Sequence, residues 1–578
     1  MPGAPLLHAD VPGNLLKHIP VRKGDMADGW SRATEVVEGE FSTPFIEHAF
    51  LEPEAGVAVP DPDGVTVYVG SQIPFDDRRV VAETLDLPLN KVRIIATAVG
   101  GAFGGKEDVS VQPLVALLAR RTGRPVKLVF TRQESMLVHP KRHATTIRIK
   151  LGANRDGMLT AVEATIWGDS GAYASLGDHV MTRTATHLAG PYVVPNVQVD
   201  CYAAYTNNPP AGAMRGFGVP QAAFAMESAM DMLARRLGLH PLELRRRNAL
   251  RVGSVTACGQ LMTESVGLVE TIDKVQAEIQ RLGDGLLAPS APDRLRAWGF
   301  ACCMKNVGLG GGARDAAGAE GVVDPDGQVE VRIGAAEVGQ GLVTVAAQIA
   351  AEELRLPYET ISVLVGDTNK TLDGGATTAS RQTFVTGNAV RRAAQQVRQL
   401  LDAGADAGGR PVSASAEYVA PKTVRLGQQG DQHFAYGFAT QAALVEVNKV
   451  SGQVKVLKVI AAHDVGRALN PEAVRGQVEG GVVMGVGFAL SERLELDHGV
   501  TRNPDLRRYR APRIDRAPDV TCILVEAPAS EGPFGAKGVG EITSIPTAPA
   551  ITNAIFAATG LRVTDLPAIL PAPLQDQP

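Results

Sequence analysis

At 578 residues the chain exceeds what one hydrophobic core holds, so two or more domains are expected. Its 45% hydrophobic and 21% charged residues suit a folded globular protein, and a net charge of -5 removes the attraction that nonspecific nucleic-acid binding needs. The longest apolar run, GGVVMGVGFAL from Gly480, is short of the ~18 residues of a membrane span, and the N-terminus lacks a secretory signal, so a cytoplasmic location is expected.

In chain order, VTVYV (Val65 to Val69) alternates apolar and polar residues beside an Asp-Gly turn, the pattern of a hairpin strand. TIRIKL (Thr146 to Leu151), VEVRI (Val329 to Ile333) and QVKVLKVI (Gln453 to Ile460) repeat it. Pro220 to Leu237 predicts a helix with Met226, Met230, Leu233 and Leu237 on one face, proline in its first turn and Gly238 past its end. Glu243 to Arg251 reads as a solvated basic helix face. Leu342 to Leu354 and Asn388 to Leu401 have helical form too. Strands and helices mix without strict alternation, which gives an α+β class. GDGLLAPSAPDR concentrates Gly and Pro and marks a linker over 283–294, between domains at 31–282 and 295–578. One echo crosses that linker: DPDGVTVYVGSQ (Asp61 to Gln72) and DPDGQVEVRIGAAEVGQG (Asp324 to Gly341) share a turn, a strand and a loop carrying Gln72 or Gln340. Two similar domains facing one cleft would explain it, as would two ordinary hairpins.

VGGAFGGKED, from Val99, matches a P-loop up to the last position, where Glu107 replaces the required Ser or Thr. That hydroxyl binds magnesium, and a carboxylate would instead add negative charge beside a triphosphate. A P-loop-like nucleotide-binding protein and a cofactor-free scaffold stay open as alternatives. Further glycine loops follow: GAMRGFGVPQ (Gly212 to Gln221), EVGQGL (Glu337 to Leu342), GGATTASRQT (Gly374 to Thr383) and GAKGVGE, which ends at Glu541. Several lead into helices, so their amides suit a large anionic ligand held mainly by backbone. Five cysteines without zinc or iron-sulfur spacing read as reduced, mostly buried thiols.

In this order, from about Val36 to Thr564, the loops resemble those of the molybdenum-cofactor subunit of the xanthine dehydrogenase family, the molybdenum hydroxylases. EGEFSTPFIEHAFLEPEAGVA (Glu38 to Ala58) resembles the family segment that precedes them. The resemblance implies two large molybdopterin-binding domains of mixed sheets and helices with the cofactor at their interface, residues 1–30 being the remnant of a further small domain. It assigns Gln72 to the loop beside the metal's apical oxo group. Gly101, Phe103 and Gly104 fall in a loop whose Phe backbone faces the metal and whose Glu107 contacts substrate. Arg215 holds cofactor and Phe217 flanks substrate; Gly339, Gln340, Ala379, Ser380 and Gln477 contact cofactor. Gln72, Phe103, Arg215 and Ala379 surround the molybdenum through the cofactor, with no direct side-chain ligand. Glu541 is the implied catalytic base, and its setting in GVGEI gives it little polar company. Arg183, in MTRTATHLAGPY, is the implied partner of a ring oxygen. Purine-oxidising members carry a Phe-Thr pair where this chain offers Leu309 and Gly310, and Gly216 stands where the carbon monoxide branch has Cys.

The implied activity is oxidative hydroxylation of a C–H carbon of an N-heterocycle, such as the purines xanthine and hypoxanthine, or of an aldehyde as in a related aldehyde oxidoreductase, with water as oxygen source. The cofactor would be molybdenum-molybdopterin, in cytosine dinucleotide form by likeness to bacterial relatives. With no cluster cysteines and no dinucleotide fingerprint here, 2Fe-2S and FAD are expected on partner subunits, in a dimer of heterotrimers.

Overall fold

The computed structural model describes residues 3–405 and 409–574. Period-two burial fixes the strands: Val65–Val69 and Val329–Ile333 each bury their first, third and fifth residues. Each is the second strand of a small four-stranded sheet. The first sheet runs in the order Val92–Ala96, Val65–Val69, Ala55–Pro60, Val126–Val129, and the second in the order Ile361–Val365, Val329–Ile333, Ala316–Val323, Val412–Val419. In both, the first neighbouring pair is parallel and the other two are antiparallel. A parallel pair needs a crossover, supplied by helix Pro74–Leu85 in one sheet and Leu342–Leu354 in the other. A second helix, Gln112–Thr122 or Val385–Asp402, packs on each sheet.

The larger sheets repeat the theme. Glu35–Thr43, Ala144–Ala153, Leu159–Asp169 and Asn196–Ala204 pair antiparallel, antiparallel, then parallel. Arg294–Val307, Ala435–Asn448, Val454–Asp464 and Asp519–Val525 do the same. Helices Gly177–Thr186 and Pro471–Leu490 form the corresponding crossovers, while Val219–Leu237 and Thr547–Thr559 follow the last strands. The chain therefore runs twice through one plan, and the echoed hairpins mark its two copies.

The copies do not stand apart. One hydrophobic core takes Phe41 and Phe224 from the first and Phe300, Phe438 and Ile551 from the second. The small sheets are stitched where Ala96 donates to the Gly366 carbonyl at 3.0 Å and Thr368 to Ile94 at 3.0 Å, beside the Arg93–Asp367 ion pair. The expected linker is a surface stretch containing the 3-10 turn Asp284–Leu287 and leads into strand Arg294–Val307. Leu15–Lys23, expected to belong to a remnant, lies along Asn196–Ala204 as the edge strand of the first large sheet.

The basic face of 243–251 needs correction. Arg246 and Arg247 reach solvent from helix Pro241–Asn248, but Arg245 is fully buried, 2.7 Å from Glu227 and 2.8 Å from Asp231. Glu227 and Asp231 lie one turn apart on helix Val219–Leu237 and together supply the carboxylates that a buried guanidinium requires. All five cysteines are free, with Cys201, Cys302 and Cys303 buried. Among the described residues, no helix is long and apolar enough to cross a membrane.

Candidate active site

The glycine loops converge. A cavity of about 670 Å³ is lined by Gln72, the loop from Gly100 to Gly104, Glu107, Met214, Arg215, Phe217, Gly339, Gln340, Ala379, Ser380, Gln477 and Glu541. A second chamber of about 980 Å³ shares Glu107, Phe217, Thr378 and Ala379 with it and adds Arg183, Lys305, Leu309 and Gly310. Of the residues picked out from sequence, Arg183, Leu309 and Gly310 line the second chamber rather than the first, and Gly216 lines neither.

The doubled plan explains how distant segments meet. Gln72 and Gln340 follow equivalent strands, and the Phe103–Glu107 and Ala379–Ser380 loops precede equivalent helices. Arg183 and Gln477 sit on the two large-sheet crossovers, while Arg215 and Glu541 precede the helices that follow the last large-sheet strand of each copy. Four left-handed non-glycine residues, Phe103 (φ 55°), Phe217 (φ 47°), Ala379 (φ 49°) and Ser380 (φ 51°), sit in these loops. Such backbone is strained, and it persists where surrounding packing holds it.

Gln72 fastens three loops. Its amide nitrogen donates to the Thr377 carbonyl at 2.7 Å and to Glu107 at 3.2 Å, while its oxygen accepts from the amides of Gly104 at 3.0 Å and Lys106 at 3.3 Å. Glu107 is thereby recessed into the wall. Burial pushes its pKa up to about 8, with Glu541 and Asp108 acting in the same sense against hydrogen bonds from Thr378 and Gln72. It is an acid at neutral pH.

Arg215 locks the other side. Its backbone amide donates to the Phe103 carbonyl at 2.8 Å; its guanidinium donates to the Gly540 carbonyl at 2.5 Å, the Gln477 carbonyl at 2.9 Å and the Thr543 hydroxyl at 2.8 Å. Only 8% exposed, and in no ion pair among the described residues, it is a cation facing the first cavity. Burial pulls its pKa down to about 10, which leaves it charged. Gly538 brings the last two loops together: a Cβ there would lie 1.7 Å from the Ser380 carbonyl oxygen.

Glu541 differs from its expected setting. Instead of little polar company it has the Ser380 hydroxyl at 3.2 Å and the Lys305 ammonium at 3.4 Å, and its backbone amide donates to the Ser380 hydroxyl oxygen at 3.1 Å. Lys305 is a buried lysine at the end of strand Arg294–Val307, and burial lowers its pKa. Sequence reasoning misses it, although a lysine closing the apolar run FACCMKNV is an available signal. Lys106, the would-be P-loop lysine, lines neither cavity; it donates to the Glu52 carbonyl at 3.0 Å and lies over the Phe50 ring. The nucleotide-loop alternative lacks its phosphate-binding cation.

Glu47, His48 and His139 place ligand atoms together, but these side chains already have partners. His139 sits between Glu47 at 2.7 Å and Glu54 at 2.9 Å, and Lys141 takes the cation's place 2.9 Å from Glu47. His48 bonds the Ala213 carbonyl at 2.7 Å, so the cluster supports the loop that carries Arg215.

Models of the molybdopterin cofactor-binding domain match residues 7–249, and 272–407 with 401–518. The chain belongs to the molybdenum hydroxylase family. It is 34% identical to a probable xanthine dehydrogenase subunit of Bacillus subtilis, over 98% of this chain and 80% of that one. The large molybdopterin subunit of nicotinate dehydrogenase from Eubacterium barkeri is 48% identical over 47% of this chain and 64% of its own. The solved aldehyde oxidoreductase of Desulfovibrio gigas superposes with a TM-score of 0.91 at 30% identity, covering 98% of this chain. This chain spans 64% of the length of that structure.

The family's cofactor suits the residues present. A metal held by the pterin's own sulfurs would need no cysteine from the chain, and the pterin's phosphate would match the Arg215 cation in the cavity wall, which no carboxylate pairs among the described residues.

Proposed function

We propose that this chain is the catalytic subunit of a hydroxylase that converts a C–H bond of an N-heterocycle to C–OH. The balance is one substrate and one water giving hydroxylated product, two protons and two electrons. The observation that carries this reading is the wall that the two cavities share at Glu107 and Phe217, with Glu541 lining the first and Arg183 the second. The similarity of about half the chain to a nicotinate dehydrogenase subunit favours a heterocycle over an aldehyde, which is the second reading through the aldehyde oxidoreductase likeness.

Molybdenum-molybdopterin would supply the two-electron oxidation, held by Arg215, Gln477, Ser380 and the backbone of the Gly101–Gly104, Gly339–Gln340 and Ala379 loops. Glu541 would accept a proton from the attacking water-derived oxygen, a role that requires hydrogen-bond reach. Ser380 and Lys305 hold its carboxylate in place. Glu107, protonated at neutral pH, would donate to a ring nitrogen, and Phe217 would stack on the ring. Enclosure strengthens each of these interactions. The electrons would leave through 2Fe-2S and FAD groups on partner subunits, in a dimer of heterotrimers, and the pterin would carry cytosine.

Glu541→Gln is expected to keep its molybdenum while losing turnover by ~10²–10⁴-fold, the usual range for a general base. Metal analysis and dye-reduction rates on the same preparation check this. Turnover near wild type would remove Glu541 from the base role.

A further inference from the structure

The charges lining the second chamber do not cancel. Lys305 faces Glu541 at 3.4 Å, Arg79 faces Asp76 at 3.3 Å, and Lys17 faces Asp178 at 3.4 Å. His18 pairs with Asp200 at 2.8 Å, and Asp108 accepts from the Ser175 hydroxyl at 2.8 Å. Burial holds His433 neutral, and Glu107 keeps its proton at neutral pH. Two cations of this chamber, Arg183 and Arg425, have no carboxylate oxygen within 4.0 Å among the described residues. Arg183 spends one nitrogen on the Leu309 carbonyl.

The segment between these two arginines is Gly310, Gly311 and Gly312, all left-handed, with φ of 61°, 61° and 84°. A Cβ built on Gly311 would meet only the two terminal nitrogens of Arg183, each at 3.8 Å, and one on Gly312 would meet the Arg425 side chain at 3.0 Å. The run thus puts no side chain over the Arg183 guanidinium, which stays open to the chamber. Leu309, Leu426 and Phe217 supply apolar wall for a flat ring. An unpaired guanidinium in a recessed wall recognises a planar anion by paired N–H donors, and a second cation nearer solvent raises the anion's local concentration.

We propose that the second chamber selects substrates bearing a carboxylate on an N-heteroaromatic ring. The carboxylate docks on Arg183 beneath the Gly310–Gly312 run, Arg425 draws it in from the mouth, and the ring lies along Phe217 with its reacting C–H toward Glu541. This rests on the hydroxylase reading above.

The test compares pyridine carboxylates with their carboxamides on the purified, molybdenum-loaded complex, reading kcat/KM by dye reduction and Kd by titration calorimetry without acceptor. The wild-type complex is expected to favour the acid at least ~10-fold. In Arg183→Gln that preference should fall about 10- to 100-fold, the worth of a hydrogen bond to a charged group, through KM and Kd more than kcat. Arg183→Lys should restore part of it, and Arg425→Gln should weaken the salt dependence of kcat/KM for the acid. Equal preference in wild type, or an unchanged acid-to-amide ratio in Arg183→Gln, overturns the proposal. Turnover of neutral heterocycles or aldehydes without binding of any acid overturns it while the hydroxylase reading stands. Should no C–H substrate react, that reading fails, and the calorimetric acid-to-amide ratio still decides the role of Arg183.

Discussion

A carboxyl group that keeps its proton is a hydrogen-bond donor, and one that loses it is an acceptor. Glu107 makes that change at about 8, because burial outweighs the hydrogen bonds from Thr378 and Gln72. Below that pH it can donate to a ring nitrogen; above it, an ionised Glu107 would face the nitrogen lone pair and repel it. The expected result is that kcat/KM for an N-heterocycle falls about tenfold per pH unit above ~8, since each unit removes about nine-tenths of the protonated form. Glu107→Gln keeps a donor that does not titrate, so its profile should lose this limb; a limb persisting in that variant would assign it to another group. At this scale the sequence carries most of the site. Glu107 and Glu541 are legible because each ends a glycine loop, whereas Lys305 is not, because a single lysine in a strand gives no sign that its end meets a carboxylate from residue 541. The isolation expected of Glu541 fails for the same reason: neighbours in sequence do not report partners brought from other loops.

At the scale of elements, close approach and paired charge hold the loops. Gly538→Ala would drive a Cβ to 1.7 Å from the Ser380 carbonyl oxygen, against rigid backbone, so one loop must move. Its expected effect is a loss of molybdenum per chain of roughly tenfold with little change in helix content, read by metal analysis and circular dichroism; full metal occupancy would show that the contact is not needed. Arg245 ties helix Pro241–Asn248 to Glu227, and Glu227 also accepts from Tyr192 at 2.6 Å and from the Cys302 amide at 2.9 Å. Arg245→Ala leaves Glu227 and Asp231 buried without their cation. It should cost ~3–5 kcal/mol, the usual penalty for breaking a buried pair, measured by denaturant unfolding. A loss below ~1 kcal/mol would mean that Glu227 simply takes a proton. The helix itself is readable from sequence, through its proline start and basic end. The burial of Arg245 is not, because residues 227 and 231 show their shared face only once the longer helix is known to pack beside it.

For the whole molecule, the doubled plan is the fact with the widest reach. Strand order and sense repeat in both the small and large sheets, so each site residue from the first copy has a counterpart position in the second. Only the Asp-Pro-Asp-Gly turns and the strands after them betray this in sequence; topology outlasts side-chain identity because hydrogen-bonded pairing constrains the backbone, not the residue. The shared core and the Arg93–Asp367 bridge hold the copies in register around the cavity. Asp367→Ala should open that seam: the Arg93 partner is lost at a position where the two small sheets meet, so metal retention at raised temperature should drop before global unfolding. Coincident loss of metal and fold in both proteins would place no special weight on the seam.

Convergence of both copies on one molybdopterin is tested most directly by counting it. Elemental analysis of the purified protein in its native complex, with the released pterin measured in parallel, should give about one molybdenum and one pterin for each chain. Stoichiometric protein that carries neither, in cells where another molybdenum hydroxylase is fully loaded, would contradict it.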